Sequence, residues 1–365
     1  MNIPKLKKIK TTKNYHGIPL EDDYSWVDQP NILEVLKDPK KLNTQVKDYI
    51  EANNKISEDY FKDVKELQNN LFNEIKGKIK LDDTGLKYKD KRYYYWSKTE
   101  AKGNYGKRMR QLIDGSKPEE IFFDGDLEKK KSGSEYFGVG TVSTSYCDNF
   151  IAYSLDLKGS EYYTIYIRQI SDKKLVTEKI EETSGNITFS LDDKYIFYSK
   201  LDENHRARTI YRHRIGDFEG KDELIFEEKS EAFTVGIGKS SDEKYFFINT
   251  SDHNTSEQYY FKSDELSPSP KLIIKRERGV LYSVNSWDGK FYNHTNKDAE
   301  DFKIDITNNL EKLDWKPFIL PKKEVLIGSL TFLKSWIIRS ETSNALDKLF
   351  VRNISTNIEE ELIFS

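Results

Sequence analysis

The residues that could do chemistry do not complete a catalytic pattern. A serine nucleophile on a G-x-S-x-G elbow needs glycines two positions before and two after it. Ser240 comes nearest, with Gly238 before it but Asp242 after it. The same segment, Gly238-Lys239-Ser240, imitates the end of a phosphate-binding G-x-x-x-x-G-K-[ST] loop. Phe233 stands where the first glycine of that loop belongs, and no long helix follows to aim its N-terminus at a phosphate. A strand turn is the better reading. The five histidines are His16, His205, His213, His253 and His294. None belongs to an H-E-x-x-H motif, and Cys147 is the only cysteine, so no cysteine pair is available for zinc. His205 and His213 alternate with arginines over His205–Arg214, which reads as a polar strand face and turn, or else as a polar patch facing another domain. The pairs Asp22-Asp23 and Asp192-Asp193 have the chemistry of a general acid and base, but they sit in turn-like segments. The residues therefore predict no catalytic, cofactor-binding or metal-binding site, and no cofactor.

Composition narrows the class. Charged residues make up 33% of the 365, hydrophobic residues 36% and aromatic residues 13%. Such a balance suits an aromatic core between thin sheets under a charged surface. The net charge of −3 and the interspersed signs give no basic stripe, which argues against a nucleic-acid partner. A single cysteine precludes an intrachain disulfide and fits a reducing, cytoplasmic setting. The opening Met1–Lys10 is basic but has no apolar core, unlike a secretory signal. No run approaches the roughly 18 apolar residues of a membrane span.

The elements that would position any site are strands, and they repeat. Ile187–Ile215 and Phe233–Phe261 carry the same unit: a β-rich run, a Ser/Asp/Lys turn, an aromatic strand, a charged turn and a second aromatic strand. The first large residue of the middle strand recurs at Tyr93, Phe150, Tyr195, Tyr245, Phe291 and Trp336, at intervals of 57, 45, 50, 46 and 45. A period of about 40–50 residues with four strands per unit is the mark of a β-propeller blade. A lone sheet of this kind cannot bury both faces, so the blades must stack. The spacing predicts a mainly β fold, with blade after blade from Leu81 onward and each marker on an interior strand.

Before the blades the period is helical. Apolar residues at Leu42, Val46, Tyr49, Ile50, Ile56, Tyr60, Phe61, Val64, Leu67, Leu71, Phe72 and Ile75 recur mostly three or four apart along one stripe, predicting one largely continuous helix. Asn43 is placed to cap its start and Gly77 to end it. No second helix offers this stripe a partner, so it is expected to remain partly uncovered.

Several stretches, in order, carry a resemblance to a known family. Tyr15-His16-Gly17 with Asp22-Asp23-Tyr24-Ser25-Trp26 resembles the N-terminal "H-G … D-x-Y-x-W-L" signature of the prolyl oligopeptidase family of serine peptidases, and Tyr49–Asn54 resembles its "Y-L-x-x-E-N" helix. Arg92–Glu100 is similar to "Y-Y-Y-S-R-T-x-E", and Gly159–Ile165 to "G-x-E-x-Y-T-I". Asp202-Glu203 with Arg212–Gly216 is similar to "D-E … W-R-H-x-L-G", and Ser251–Glu257 to "S-S-H-x-T-S-E". These last four point to the oligopeptidase B branch. Gly103–Lys107 departs from that branch, which has "Y-x-x-Y-P" there.

The resemblance implies a seven-bladed propeller capping an α/β-hydrolase domain. Residues 1–77 would form a helical arm packing on that absent domain, and residues 78–365 the propeller, incomplete at about six blades. Glu359–Ser365 would begin the next connection. The triad, the oxyanion donors and the acidic residues selecting Arg or Lys would lie in the catalytic half, beyond this chain. The implied activity is serine endopeptidase hydrolysis of short peptides after Arg or Lys, with the propeller gating access by size. The expected partners are those peptides and the hydrolase domain, with no nucleic acid and no membrane. The chain alone is expected to be inactive. The rival reading is a non-catalytic propeller module that binds proteins or peptides.

Overall fold

Alternation along the strands explains how the sheets stack. In the computed structural model, which describes residues 3–176 and 179–363, strand Tyr195–Leu201 sends Ile196 and Tyr198 to one side and Phe197 to the other. Ile196 and Tyr198 pack with Ala152, Ile165 and Ile180 of the preceding sheet, whereas Phe197 packs with Phe246, Ile248 and Phe261 of the following one. Strand Tyr245–Ser251 does the same: Phe246 and Ile248 turn back and Phe247 turns forward toward Tyr282, Val284 and Phe291. Tyr292 then meets Ile327, Phe332 and Ile337 of the last sheet. The third, fourth and fifth sheets are thus apolar on both faces, as the inner blades of a propeller must be.

The fold is mainly β. The first sheet comprises Asp83–Thr84, Tyr88–Asp90, Tyr93–Thr99, Lys107–Leu112 and Glu120–Asp124. The second has Gly138–Thr144, Phe150–Asp156 and Tyr163–Gln169, and the third has Tyr195–Leu201, Ala207–Arg214 and Glu223–Glu227. Strand Ile180–Phe189 serves both: Ile180 and Thr183 pair back with Ile165 and Tyr163, while Ile187–Phe189 pair forward with Ile196–Tyr198. Left-handed residues at Glu182 (φ 60°) and Gly185 (φ 85°) turn the strand from one sheet into the next. The fourth (Thr234–Ile274), fifth (Tyr282–Ile319) and sixth (Leu326–Leu362) sheets are four-stranded antiparallel meanders. Phe150, Tyr195, Tyr245 and Trp336 each open the second strand of their sheets, Phe291 is the second residue of Lys290–Thr295, and Tyr93 opens the first long strand of the first sheet. Strand Glu359–Leu362 pairs with Leu346–Asn353 and completes the sixth sheet, so it is not the start of a further connection; Phe364 and Ser365 lie outside the described residues.

Contacts divide the chain into two compact units, Met1–Gly138 with Asp156–Glu161, and Val139–Leu155 with Tyr162–Ser365. The first unit holds the N-terminal hairpin Thr11–Tyr15/Ile18–Asp22, four α-helices and the first sheet. These helices are α1 (Ile32–Lys37), α2 (Thr44–Phe61), α3 (Lys65–Gly77) and α4 (Gly125–Ser132). Asn43 caps α2 by accepting the Gln45 N–H at 2.9 Å. The expected single helix is broken by a 3-10 turn at Lys62–Val64, flanked by ψ values of −1° at Phe61 and 10° at Val64. Such ψ values tighten the backbone from i,i+4 to i,i+3 bonding. Gly77 sits inside the last turn of α3, and Lys78 closes it by donating to Ile75 O. None of the described helices is long and apolar enough to cross a membrane.

Candidate functional site

The structure sends the sequence's candidate residues to structural duties. Ser240 Oγ donates to Asp242 Oδ1 at 2.7 Å and accepts the Tyr245 N–H at 3.0 Å, closing a turn. Gly238 and Lys239 belong to strand Thr234–Lys239, and Lys239 pairs with Glu243 at 2.7 Å. Among the described residues the next element is strand Tyr245–Ser251 and not a helix, which argues against the phosphate-loop reading. Asp192 closes the matching turn with Ser190, and Asp193 accepts main-chain N–H groups from Tyr146 and Cys147. Asp22 accepts the Tyr24 N–H, and Asp23 pairs with Lys8.

The histidines are dispersed. His213 is fully buried, and its Nδ1–H donates to Asp222 Oδ1 at 2.7 Å, while Tyr198 donates its phenol to Asp222 Oδ2 at 2.7 Å. The hydroxyl in this trio is a phenol held by the acid, not a serine held by the imidazole. The trio fastens the Gly216–Asp222 loop to the third sheet. His205 lies at the far end of strand Ala207–Arg214, packed edge-on against Tyr162, so the two do not form one patch. His294 stacks on Phe302 and donates to Ile327 O at 2.7 Å; its burial pushes its pKa below the ordinary value, which keeps it neutral. His16 and His253 lie on exposed turns. Among the described residues, no group of three or more His, Cys, Asp or Glu side chains could hold a metal ion.

Sequence reasoning missed the strongest polar cluster. Arg276 Nη2 donates to Glu228 Oε2 at 2.6 Å and to Glu257 Oε2 at 2.7 Å, and its guanidinium lies 4.0 Å from the Phe233 ring centre. Burial alone would raise both carboxyl pKa values, but Arg276 and the surrounding donors hold them below the ordinary range. Burial and Glu257 push the Tyr259 phenol up to about 12. These residues lie 29 and 19 positions apart in sequence (228 to 257, 257 to 276), and no local motif announces them. Glu257 also borders a cavity of about 330 Å3 with Asn249, Ser283 and His294. Its carboxylate is already saturated by Arg276 and Tyr259, so the cavity holds no free acid–base pair built on it.

Two apolar surfaces remain. In the first unit, α2 and α3 expose Tyr60 (67%), Leu67 (57%), Phe72 (63%) and Ile75 (62%) along the stripe read from the sequence. In the second, the sixth-sheet face opposite Phe332 and Ile337 exposes Leu326, Leu333, Trp336 and Leu362. Single exposed apolar residues are ordinary, but contiguous stripes mark interaction surfaces.

Residues 4–363 match the family model described as prolyl oligopeptidase, N-terminal beta-propeller domain. The chain belongs to the prolyl oligopeptidase family. Among its relatives, dipeptidyl aminopeptidase BI of Pseudoxanthomonas mexicana is 25% identical over 363 residues, covering 94% of this chain and 49% of the relative. Protease 2 of Moraxella lacunata is 27% identical, covering 83% of this chain and 43% of the relative. The chain therefore spans about half the length of these relatives. Oligopeptidase B from Leishmania major shares the fold with a TM-score of 0.88 at 21% identity, over all of this chain and 54% of that one. Oligopeptidase B from Trypanosoma brucei does so with a TM-score of 0.87 at 21% identity, over 100% and 53%.

Proposed function

We propose that this chain is the arm-and-propeller portion of an oligopeptidase B-like serine endopeptidase that hydrolyses short peptides after Arg or Lys. Residues 1–77 serve as the arm and residues 78–365 as the propeller. An α/β-hydrolase domain supplies the serine, histidine and aspartate of acyl transfer. The propeller restricts access by size and keeps folded proteins and water from the reacting bond. The observation that carries the reading is the exposed stripe of α2 and α3, a long apolar face suited to packing on another domain. Family membership supports this reaction class, and the single cysteine supports a cytoplasmic setting.

On this reading the chain by itself is catalytically silent, because its serines and histidines with resolved partners are tied into turns and sheet contacts. Treatment with a fluorophosphonate probe should leave it unlabelled, and stoichiometric modification of one serine would overturn the proposal. The alternative, a non-catalytic propeller that binds proteins or peptides, is separated by the coding sequence beyond Ser365. A G-x-S-x-G-G motif followed by Asp and His supports the peptidase; an in-frame stop there supports the binding module.

A further inference from the structure

The sixth sheet is tied to the fifth far more sparsely than the fifth is to the fourth. Ser241, Asp242, Ser256 and Gln258 of the fourth sheet and its turns all hydrogen-bond to strand Tyr282–Trp287 of the fifth. Among the described residues, only two hydrogen bonds join the fifth sheet to the sixth, and both end on Ile327. The ladder between Leu326–Leu333 and Trp336–Ser343 shifts register after Ile327, whose main chain turns to the fifth sheet instead. Its N–H donates to Asp301 O at 2.9 Å, and its C=O accepts the His294 Nε2–H at 2.7 Å. The rest of the junction is apolar contact among Tyr292, Ile304, Phe332 and Ile337, with the Arg352 guanidinium 4.5 Å from the Phe318 ring centre.

His294 is half-buried on strand Lys290–Thr295, and its Nδ1 has no hydrogen-bond partner among the described residues. The cavity of about 330 Å3 opens beside it. Protonation would put a second hydrogen on the ring with no acceptor, and a charge against Phe302. Burial lowers the pKa of His294 more than the Ile327 carbonyl raises it, so this seat favours the neutral ring. The acids lining the cavity are already engaged: Asp252 by the Asn254 and Thr255 N–H groups, and Glu257 by Arg276. In the adjoining 296–302 loop, Lys297 pairs with Glu277, Asp298 and Glu300 are exposed, and Asp301 meets Ile327 through its main chain. Lys303 pairs with Asp305 on the next strand, and on the sixth sheet Glu341, opposite Ile327, pairs with Arg339 and Lys322. None of these charges perturbs the ring.

We propose that His294 is an acid-released latch between the fifth and sixth sheets. Neutral, it holds the sixth sheet through Ile327; protonated, it swings into the cavity, is hydrated there and lets the sheet loosen. Its departure leaves the buried Ile327 carbonyl without that donor. The tie is intact above the ordinary histidine value of 6.5 and is lost as pH falls through the lower value of the seated ring. The device lies within one unit of the chain and stands whether or not the peptidase reading does.

Hydrogen exchange of the whole chain, corrected for the intrinsic effect of pH on exchange, tests this. Between about pH 7.5 and about pH 5, peptides covering residues 326–343 should lose protection by about threefold or more, while those covering 234–262 hold theirs. Glu228, Glu257 and Glu359 titrate below 4.5, so they stay ionised over this range. His294→Gln keeps an N–H donor but does not titrate, so it should remove the acid step and leave exchange at pH 7.5 unchanged. The proposal is overturned if residues 326–343 keep their protection at pH 5, if 234–262 loses as much, or if the folded variant retains the acid step. On the unmodified chain, the His294 ring titration followed by NMR should fall below 6.5 and share its midpoint with the exchange of the sixth sheet. Separate midpoints overturn the latch even where the variant fails to fold.

Discussion

Asp193, in the first turn of the third sheet, accepts the main-chain N–H of Cys147, in the corresponding turn of the second sheet, at 2.7 Å. Its other oxygen takes the Tyr146 N–H, so one carboxylate rivets two neighbouring sheets. Asp193 sits at φ 55°, a conformation that Asp tolerates better than most residues. Replacing it with Ala should cost about 1–3 kcal/mol, because two main-chain donors lose their acceptor. Urea unfolding would check this, with Asp193→Asn expected to retain part of the loss.

Cys147 marks a departure from the repeat. In the third and fourth sheets Ser190 and Ser240 each donate to an aspartate two residues on, Asp192 and Asp242, both at 2.7 Å. Those aspartates also accept the Lys194 and Lys244 N–H groups, both at 3.2 Å. In the second sheet Ser145 has Cys147 in that place, with sulfur 3.7 Å from the hydroxyl. Thiol sulfur is a weak acceptor. Cys147→Asn restores an acceptor without setting a second carboxylate beside Asp193. It should raise stability by roughly 0.5–1.5 kcal/mol, one net hydrogen bond. An unchanged or lower melting temperature would count against the shared turn geometry.

Gly328 and Ser340 are in tight apposition on the sixth sheet. A Cβ on Gly328 would lie 2.2 Å from Ser340 Oγ and 3.1 Å from Ser340 O. Gly328→Ala should therefore destabilise by about 1–3 kcal/mol through overpacking. Adding Ser340→Gly should recover much of that loss by removing the nearest atom. A double-mutant cycle showing simple additivity would refute the steric account.

Arg276 governs the acid limb of stability around the fourth sheet. Glu228 and Glu257 titrate below their ordinary value of 4.5. A depressed carboxyl adds stability above its unfolded pKa, and that stability is lost as pH falls through the folded one. Stability should thus hold from neutrality to about pH 5 with respect to these two groups and decline below it. Arg276→Met should cost about 3–5 kcal/mol at pH 7, because it strands two buried charges. The deficit should narrow as pH falls and the acids protonate. Denaturation midpoints across pH 3–8 would show whether the two curves converge, and parallel curves would count against the pairing.

The period of the marker aromatics was legible in the sequence because strand patterning and turn chemistry are local. A Ser-x-Asp turn precedes the strands that start at Tyr195 and Tyr245, and Phe150, Tyr195, Tyr245 and Trp336 do open the second strand of their sheets. The apolar stripe of α2 and α3 was legible for the same reason. Its 3-10 break was not, because Asp63 and Val64 do not forbid a helix.

The tertiary structure decided what two-period reasoning cannot see. The spacing placed each marker on an interior strand without saying which position lies deepest: in four of the sheets it is the next one, since Ile151, Ile196, Phe246 and Ile337 are at most 4% exposed, while Trp336 is 42% exposed. The alternation tells which residues share a face, not which face a neighbouring sheet closes. His213 looked like part of a polar strand edge until Asp222 and Tyr198 enclosed it. Gly85, just after the first strand of the first sheet, and Gly140 and Gly328, on the first strands of the second and sixth, face Ser97, Ser154 and Ser340 closely enough to exclude a Cβ. Only strand pairing brings those partners together. The sequence alone therefore determined the repeat, the strand type and the family, because each rests on residues near one another along the chain. Burial, the Arg276 cluster and the contact of His294 with Ile327 depend on distant segments meeting, and the folded chain alone decided them.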